Sequence, residues 1–273
     1  MQKLRMLFVA TGLMLAVSAS ADQVKFDVGQ NVQPVYEGWQ WNADGTITMH
    51  FGYLNRNYGE ELDVPLGPAN HFEPGPPDRG QPTHFVTRRH RFVFDVRLPK
   101  EWDPKARLTW VVTANGQSDT AQGWLQPEWE MNEGVEQMNI GPGGAPDENN
   151  KAPEVKGATA YTTAVAAPVT LTINATDDGI PKPRKPRNEQ QAKLMRPQGV
   201  TIAWVQYRGP GGVQFDPDGH PPTYGQAVTA TTRATFGASG DYVVRAVVGD
   251  GTLETHFDIN VTVTPRGAPP PKR

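Results

Sequence analysis

Apolar and polar residues alternate along several short segments in the first half of the chain. In residues 47–53 the apolar side chains occupy every second position, and residues 92–98 repeat the pattern. Alternation with a period of two is typical of half-buried β-strands. Residues 42–45 and the Asn115-Gly116 pair fall between such segments and suit the positive φ of hairpin turns. We therefore expect an antiparallel β-sandwich in residues 22–130.

The second half of the chain shows the same kind of pattern. The segments that alternate or are continuously apolar are residues 169–173, 200–204, 242–248 and 257–263. Residues 131–151 separate the two halves and are rich in Gly and Pro, which predicts a linker. The chain is therefore expected to be all-β, with two antiparallel, immunoglobulin-like β-sandwich domains. The second domain would cover residues 152–264, followed by a disordered, Pro-rich tail over residues 265–273.

Residues 55–89 interrupt the strand pattern of the first half with a long stretch rich in Pro and Gly. Proline cannot donate a hydrogen bond to a sheet ladder, so central strands are not expected here. Residues 61–64 have the composition of a short edge strand. A loop of this length is commonly either functional or disordered.

The first residues have the pattern of a secretory signal peptide. Lys3 and Arg5 precede an uncharged apolar run over residues 6–17, and Ala19-Ser20-Ala21 supplies small side chains for cleavage before Asp22. The run has about 12 residues, too few to cross a bilayer core of ~30 Å as a helix. This predicts export of residues 22–273 to the periplasm or the exterior, without membrane insertion.

The composition excludes several kinds of chemistry. The chain has no cysteine, which rules out disulfides, thiolate zinc sites, cysteine nucleophiles and a lipid-modified cysteine. Loss of Lys3 and Arg5 with the signal peptide changes the formal net charge from −3 to −5. A mildly acidic protein of this kind is not expected to bind nucleic acid.

A set of motifs in the second half resembles the polycystic-kidney-disease (PKD) type of immunoglobulin-like module, in the variant related to the receptor for egg jelly. The motifs, in order, are residues 175–181, Trp204, residues 209–215, residues 232–236, residues 240–245 and Asp250-Gly251. The resemblance covers residues 152–264, and it departs from the best-known pattern at Gly209–Gly212, where Gly-Pro-Gly-Gly replaces Gly-Asp-Gly. Such modules are surface-protein sandwiches, so Trp204 is expected between the two sheets and Tyr242 in a tyrosine corner.

Acidic and amide side chains near the start of the second domain form a candidate calcium site. Calcium prefers several oxygen ligands from carboxylates, amides and carbonyls. The candidate ligands are Asp147, Asn149, Asp177, Asp178 and Asp250, with Glu148 and Asn150 beside them. The alternative is that these residues only form turns, because Asp readily caps its own backbone. No other cofactor is indicated.

Aromatic residues are concentrated in the first domain and suggest a sugar-binding surface. Exposed rings can stack on pyranose faces, while neighbouring amides and guanidinium groups bind hydroxyls. The candidate residues are Trp39, Trp41, Tyr53, Asn55, Arg56, Asn57 and Tyr58. The alternative is core packing, which we expect for Trp110.

No catalytic motif is recognisable, and His50, His71, His84 and His90 lack the close spacing of a zinc motif. His50 falls on the polar face of its strand, and the four histidines are interpreted as scattered surface residues. We therefore expect a non-catalytic binding, adhesion or scaffold protein whose partner is a cell-surface protein or a polysaccharide. The alternatives are a carbohydrate-binding accessory protein and a hydrolase of unknown type.

Overall fold

The computed structural model describes residues 25–141, 145–190 and 199–267. The predicted signal peptide and residues 268–273 of the predicted tail lie outside these ranges. The described chain is all-β with antiparallel sheets, as expected from the alternation. Within these ranges, no helix has the length and apolar character needed to cross a membrane.

The strands follow one another in chain order with two short helical segments between the domains. In the first half they are β1 (Val32–Trp41), β2 (Ile47–Asn55), β3 (Leu62–Asp63), β4 (Asn70–Glu73), β5 (His84–Phe85), β6 (Arg88–Leu98), β7 (Leu108–Ala114) and β8 (Gln117–Gly123). In the second half they are β9 (Glu154–Gly157), β10 (Ala160–Ala164), β11 (Val169–Thr176), β12 (Val200–Arg208), β13 (Val213–Asp216), β14 (Gly219–Thr223), β15 (Val228–Phe236), β16 (Gly240–Gly249) and β17 (Glu254–Thr264).

The first domain packs the sheet β1-β2-β6 against the sheet β4-β7-β8, with β1 lying against β7 and β8. The alternating residues of β2 all point into the core, as predicted. Phe51 lies at its centre, with ring centroids 5.2 Å from Phe72, 5.6 Å from Phe94 and 6.2 Å from Trp110. Trp110 is fully buried, which confirms its predicted place.

The second domain packs a five-stranded sheet, β10-β17-β16-β12-β14, against a four-stranded sheet, β13-β15-β11-β9. β10 lies at the edge of the five-stranded sheet and pairs with β17 in parallel, whereas the other strand pairs of this domain are antiparallel. Trp204 is buried in the core between the sheets. The Tyr242 hydroxyl donates a 2.9 Å hydrogen bond to the Ala238 carbonyl, which is the contact of a tyrosine corner.

The segment predicted as a linker contains a helix that its composition did not indicate. A 3-10 helix (Pro127–Trp129) is followed by α1 (Glu133–Ile140). The Asn132 side chain caps α1 by accepting a 3.1 Å hydrogen bond from the Val135 amide. Gln137 is buried, and its side chain exchanges two hydrogen bonds with the backbone of Asp147, at 2.9 and 3.0 Å. These bonds fold the linker back on itself and fix the helix.

The long Pro-rich stretch is ordered by short edge pairings. β3 pairs with β5, close to the edge strand predicted at residues 61–64, and β4 pairs with β7 at the edge of its sheet. The Asn70 side chain donates to the carbonyls of Val64 and Pro82, at 2.9 and 2.8 Å. Residues 78–83 are thereby held out towards the second domain.

Candidate functional site

The end of β12 in the second domain docks on the Pro-rich stretch of the first. The Thr83 amide donates to the Tyr207 carbonyl at 3.1 Å, and the Gly209 amide donates to the Thr83 hydroxyl at 3.2 Å. Arg208 forms two hydrogen bonds with the Asp78 carboxylate, at 2.7 and 3.2 Å. Tyr207 packs into the core of the first domain. The two sandwiches therefore share backbone, charged and apolar contacts.

Arg245 on β16 makes the second connection between the domains. Its side chain is buried, and its guanidinium donates to the Val93 carbonyl of β6. The same group lies 3.6 Å from the centre of the Tyr207 ring and pairs with Asp258 through bonds of 2.6 and 2.9 Å. Asp258 of the same domain therefore neutralises the buried positive charge of Arg245, while the guanidinium also bonds the first domain through the Val93 carbonyl.

A cleft runs between the domains and has two compartments that share Ile140, Glu254 and His256. The basic compartment has a volume of about 220 Å³ and is lined by residues that include Arg89, Arg91, Arg245, His84, His90 and Gln206. Most of its charges are paired. Arg89 bonds both oxygens of Glu37 at 2.6 and 2.8 Å, and His84 bonds Asp63 at 2.8 Å and Glu61 at 3.1 Å.

The acidic compartment is larger, with a volume of about 400 Å³. α1 contributes Glu133, Glu136 and Ile140 from one side. The strands contribute the remaining lining residues, which are Gln40, His50, Phe92, Asp95, Glu254 and His256. The helix that the sequence did not indicate therefore closes this compartment.

His50 lies at the floor of the acidic compartment and is only 7% exposed. The interpretation of His50 as a surface histidine was wrong, because α1 and the second domain cover the polar face of β2. Its Nδ1 is 2.7 Å from an Asp95 oxygen, while its Nε2 is buried without a hydrogen-bond partner among the described residues. Phe92 faces His50 edge-on at 6.3 Å and holds a positive φ of 50°, a strained backbone conformation for a bulky residue.

Glu136 is the most perturbed carboxyl group of the acidic compartment. Burial, together with the nearby carboxylates of Asp95, Glu254 and Glu133, raises its pKa to about 7 against the opposing effect of His50. Negative charge is therefore poorly solvated there. Among the described residues, no three His, Asp or Glu side chains converge as a metal site.

The candidate calcium residues lie where the linker enters the second domain. Asp250 accepts three hydrogen bonds on one oxygen, from the amides of Thr252 and Leu253 and from the Thr252 hydroxyl, at 2.6–2.9 Å. Its other oxygen is buried without a partner in the described chain, as is one oxygen of Asp177. Burial raises the pKa of Asp177, and the negative charges of Asp250 and Asp178 also raise it.

Asn150 joins this group through Thr252. Its amide nitrogen donates to the Thr252 hydroxyl at 2.8 Å, and its own oxygen is buried without a partner among the described residues. Asp178 accepts from the Lys151 amide at 3.0 Å. Asp147 and Asn149 instead bond to each other within an exposed turn. The Asn149-Asn150 pair was visible in the sequence, but only the fold shows which of the two faces Asp250.

The candidate sugar-binding residues differ in their accessibility. Four of them are buried, namely Trp39, Tyr53, Asn55 and Asn57. The Trp39 indole donates to the Gln126 carbonyl at 2.8 Å, and the Asn55 amide donates to two backbone carbonyls.

The other three candidates, Trp41, Arg56 and Tyr58, reach the surface. Trp41 is 51% exposed, and it meets Trp39 edge-on at 5.7 Å. The Arg88 guanidinium lies 3.7 Å above the Tyr58 ring and covers one of its faces. Trp129 is also exposed and stacks on Tyr36 at 5.4 Å. A sugar could therefore reach Trp41 and Trp129, but not the buried set.

The chain matches no family model and no curated protein. Similar solved structures include the PKD domain from the KIAA 1837 protein, at 19% identity and TM-score 0.26, covering 46% of this chain and 99% of that domain. Domains 4 and 5 of the S-layer protein SbsC match at 13% identity and TM-score 0.26, covering 86% and 98% of the two chains.

The D0-D1 domain of intimin matches at 11% identity and TM-score 0.25, covering 84% of this chain and 97% of that one. A PKD domain is thus among the similar structures. Identities and TM-scores this low carry no information on what this chain binds.

Proposed function

We propose that this chain is a non-catalytic, exported binding or scaffold protein whose two β-sandwiches act as one rigid unit. The observation that supports this is the docking of β12 on the Pro-rich stretch, together with the contact of Arg245 with Val93. Domains joined by a linker move relative to each other unless their interface holds them. When the two domains form a rigid pair, a binding surface on one domain stays at a fixed distance from the other domain.

Small-angle X-ray scattering of residues 22–273 tests this rigidity. We expect a single compact profile for the unsubstituted protein and a larger radius of gyration for the double variant Tyr207→Ala/Arg208→Ala. The exposed Arg233→Ala is the matched control and should leave the profile unchanged. An unchanged profile for the double variant would show that these contacts do not hold the domains together.

Export is the second part of the proposal and rests on the pattern of residues 1–21. The full chain, expressed in a bacterium, should appear outside the cytoplasm with Asp22 as its first residue. N-terminal sequencing of the fractionated protein checks this. A chain retained in the cytoplasm with Met1 intact would contradict it.

We also propose that calcium binds where the linker enters the second domain. The support is three buried oxygens without partners, on Asn150, Asp177 and Asp250. A buried acceptor that lacks a partner is costly, and a pair of neighbouring carboxylates is costlier still. A cation coordinated by oxygens removes both costs, and backbone carbonyls or water would complete its coordination.

Thermal melting with calcium and with chelator tests this site. Because a ligand that binds only the folded state at 100 times its Kd adds about 2.7 kcal/mol, the melting temperature should rise by several degrees. Asp250→Asn should abolish the rise, whereas the exposed Asp218→Asn should keep it. Equal melting with calcium and chelator in the unsubstituted protein would rule the site out.

Carbohydrate binding is a second candidate, favoured by the exposure of Trp41 and Trp129. Exposed indole rings supply flat apolar surface for sugar faces. A glycan array should then show binding that Trp41→Ala removes and that Phe26→Ala, which truncates another exposed aromatic residue, keeps. An array with no binding that depends on Trp41 would exclude this surface.

A further inference from the structure

The acidic compartment of the interdomain cleft consists almost entirely of hydrogen-bond acceptors. Four carboxylates line it, from Asp95, Glu133, Glu136 and Glu254. They come from β6, α1 and β17, so the first domain, the linker and the second domain all contribute. The ring nitrogens of His50 and His256 complete the set of titratable groups that face the cavity.

His50 has a buried ring nitrogen to which nothing in the described chain donates a hydrogen bond. In the neutral ring the proton lies on Nδ1, 2.7 Å from an Asp95 oxygen, so Nε2 is an acceptor. Nε2 is buried, has no hydrogen-bond partner among the described residues, and belongs to a residue that is 93% buried. A buried polar atom without a partner is costly, so a donor placed in the cavity would stabilise it.

Positive charge in the compartment is scarce. The guanidinium of Arg245, which lies beside His256, is already paired with Asp258. Its Nη1 lies 3.4 Å from His256 Nδ1, and the other ring nitrogen of His256 is 3.8 Å from Glu254. The carboxylates therefore gain little compensation from the protein. A bound cation would be attracted strongly, because charges interact more strongly in a partly dry cleft than in water.

The walls of the compartment fit an organic cation better than a metal ion. No three His, Asp or Glu side chains of the described chain converge at metal-binding distances. Phe92 and Ile140 instead provide apolar surface beside the acceptors. A volume of about 400 Å³ exceeds the needs of a single ion and matches a group of several heavy atoms.

We propose that this compartment binds an alkylammonium or guanidinium group carried on an aliphatic stem. The N–H donors would pair with the carboxylates and with His50 Nε2, and the stem would lie against Phe92 and Ile140. Such a group comes either from a free polyamine or from a Lys or Arg side chain on a partner. The inference gives a ligand class to the proposed binding role and rests on the closed arrangement of the two domains.

Binding of this cation should depend on pH. Glu136 takes up a proton below about pH 7, because burial and its carboxylate neighbours raise its pKa. This proton removes negative charge from the compartment. Affinity should therefore be highest above pH 7 and fall as the pH is lowered.

Isothermal titration calorimetry of residues 22–273 tests the proposal with two probes, spermidine and the peptide acetyl-Gly-Arg-Gly-amide. We expect one of them to bind, and Glu254→Gln and Glu136→Gln to weaken it about tenfold or more each, as for loss of a charged hydrogen bond. Glu128→Gln, an exposed residue of the 3-10 helix, is the control and should bind as the unsubstituted protein does. Tighter binding of spermidine assigns the site to a free amine, and tighter binding of the peptide assigns it to a partner's side chain.

Two results would overturn the proposal, namely no binding of either probe at pH 8, or binding that both glutamine variants leave unchanged. Scattering from the same samples separates this failure from that of the proposed rigid unit. A compact protein that binds neither probe refutes the cation site alone. An extended protein refutes the closed arrangement on which the site depends.

Discussion

The two compartments of the interdomain cleft contain similar residues but differ in how their charges are paired. In the basic compartment Arg89, His84 and Arg245 each bond to a carboxylate of the protein. In the acidic compartment Glu133 and Glu136 have no ion-pair partner among the described residues, and Glu254 has only His256, 3.8 Å away. Ion pairs between opposite charges hold the two domains together, whereas unpaired carboxylates remain free to bind a cation. The basic compartment is therefore interpreted as the joint, and the acidic one as the place for a ligand.

The largest effect is expected when Arg245, in the basic compartment, loses its ion-pair partner Asp258. Asp258→Ala would leave a buried guanidinium with the Val93 carbonyl, the Tyr207 ring and His256 Nδ1, none of which carries a negative charge. We expect the free energy of unfolding to fall by about 3 kcal/mol, measured by urea denaturation, because an unpaired buried charge is poorly solvated. The double variant Arg245→Met/Asp258→Ala should recover most of this loss. A single variant as stable as the unsubstituted protein would mean that Asp258 does not compensate the charge.

Glu136 allows the corresponding test in the acidic compartment, through the effect of its raised pKa on stability. Its pKa rises from the ordinary 4.5 to about 7 on folding, so the folded chain holds a proton that the unfolded chain releases. Stability from this group is therefore complete below pH 4.5 and is lost as the pH rises to 7. Glu136→Gln should remove this loss and raise the free energy of unfolding at pH 8 by about 2 kcal/mol.

Urea denaturation at several pH values measures that effect, and Glu128→Gln should keep the pH dependence of the unsubstituted protein. If Glu136→Gln destabilises the protein equally at pH 5 and pH 8, the folded protein does not raise the pKa of Glu136.

The smallest expected effect on stability concerns His84, which pairs with Asp63 in the basic compartment. Burial alone lowers its pKa, but the hydrogen bonds and charges of Asp63 and Glu61 outweigh burial and raise it. The resulting stability is complete below the ordinary pKa of about 6.5 and is lost as the pH rises through the folded value. Asp63→Asn should lower the pKa of His84 in an NMR titration and reduce stability at pH 6 by about 0.5 kcal/mol. An unchanged pKa would show that Asp63 is not its main partner.

Local pattern was enough to predict most strands. β7 alternates between buried and half-buried positions, and the apolar side chains at every second position of β2 lie in the core. Asn115 and Gly116 adopt the positive φ values expected of their turn, at 48° and 74°. Tyr242 and Trp204 also lie where the resemblance to PKD modules implied. These features depend on residues close in sequence, whose spacing alone fixes which face is buried.

The cleft could not be predicted, because distant segments form it. α1 has few apolar residues, and it is held in place by Gln137, which bonds a backbone ten residues away. His50 is on a polar face of its strand that this helix and the second domain cover. Tyr207 and Arg208 lie at the end of β12, where its pairing with β16 shifts register, and nothing near them in sequence indicates that Asp78 and Gly80 are their partners. For the calcium candidate, the sequence supplied the acidic residues, but not the burial that separates Asn150 from Asn149.

The parallel pairing of β10 with β17 affects how the second domain would respond to pulling. The chain enters the domain through β9 and β10 and leaves it along β17, and the ladder between Ala160 and Thr264 ties entry to exit. Tension between these two points runs along the strands, so the five paired positions are loaded in shear at the same time instead of opening one by one. Forced unfolding is governed by the unfolding rate, and a ladder that must rupture as a whole slows that rate. The β10–β17 ladder is therefore expected to resist tension applied between the entry and the exit of the second domain.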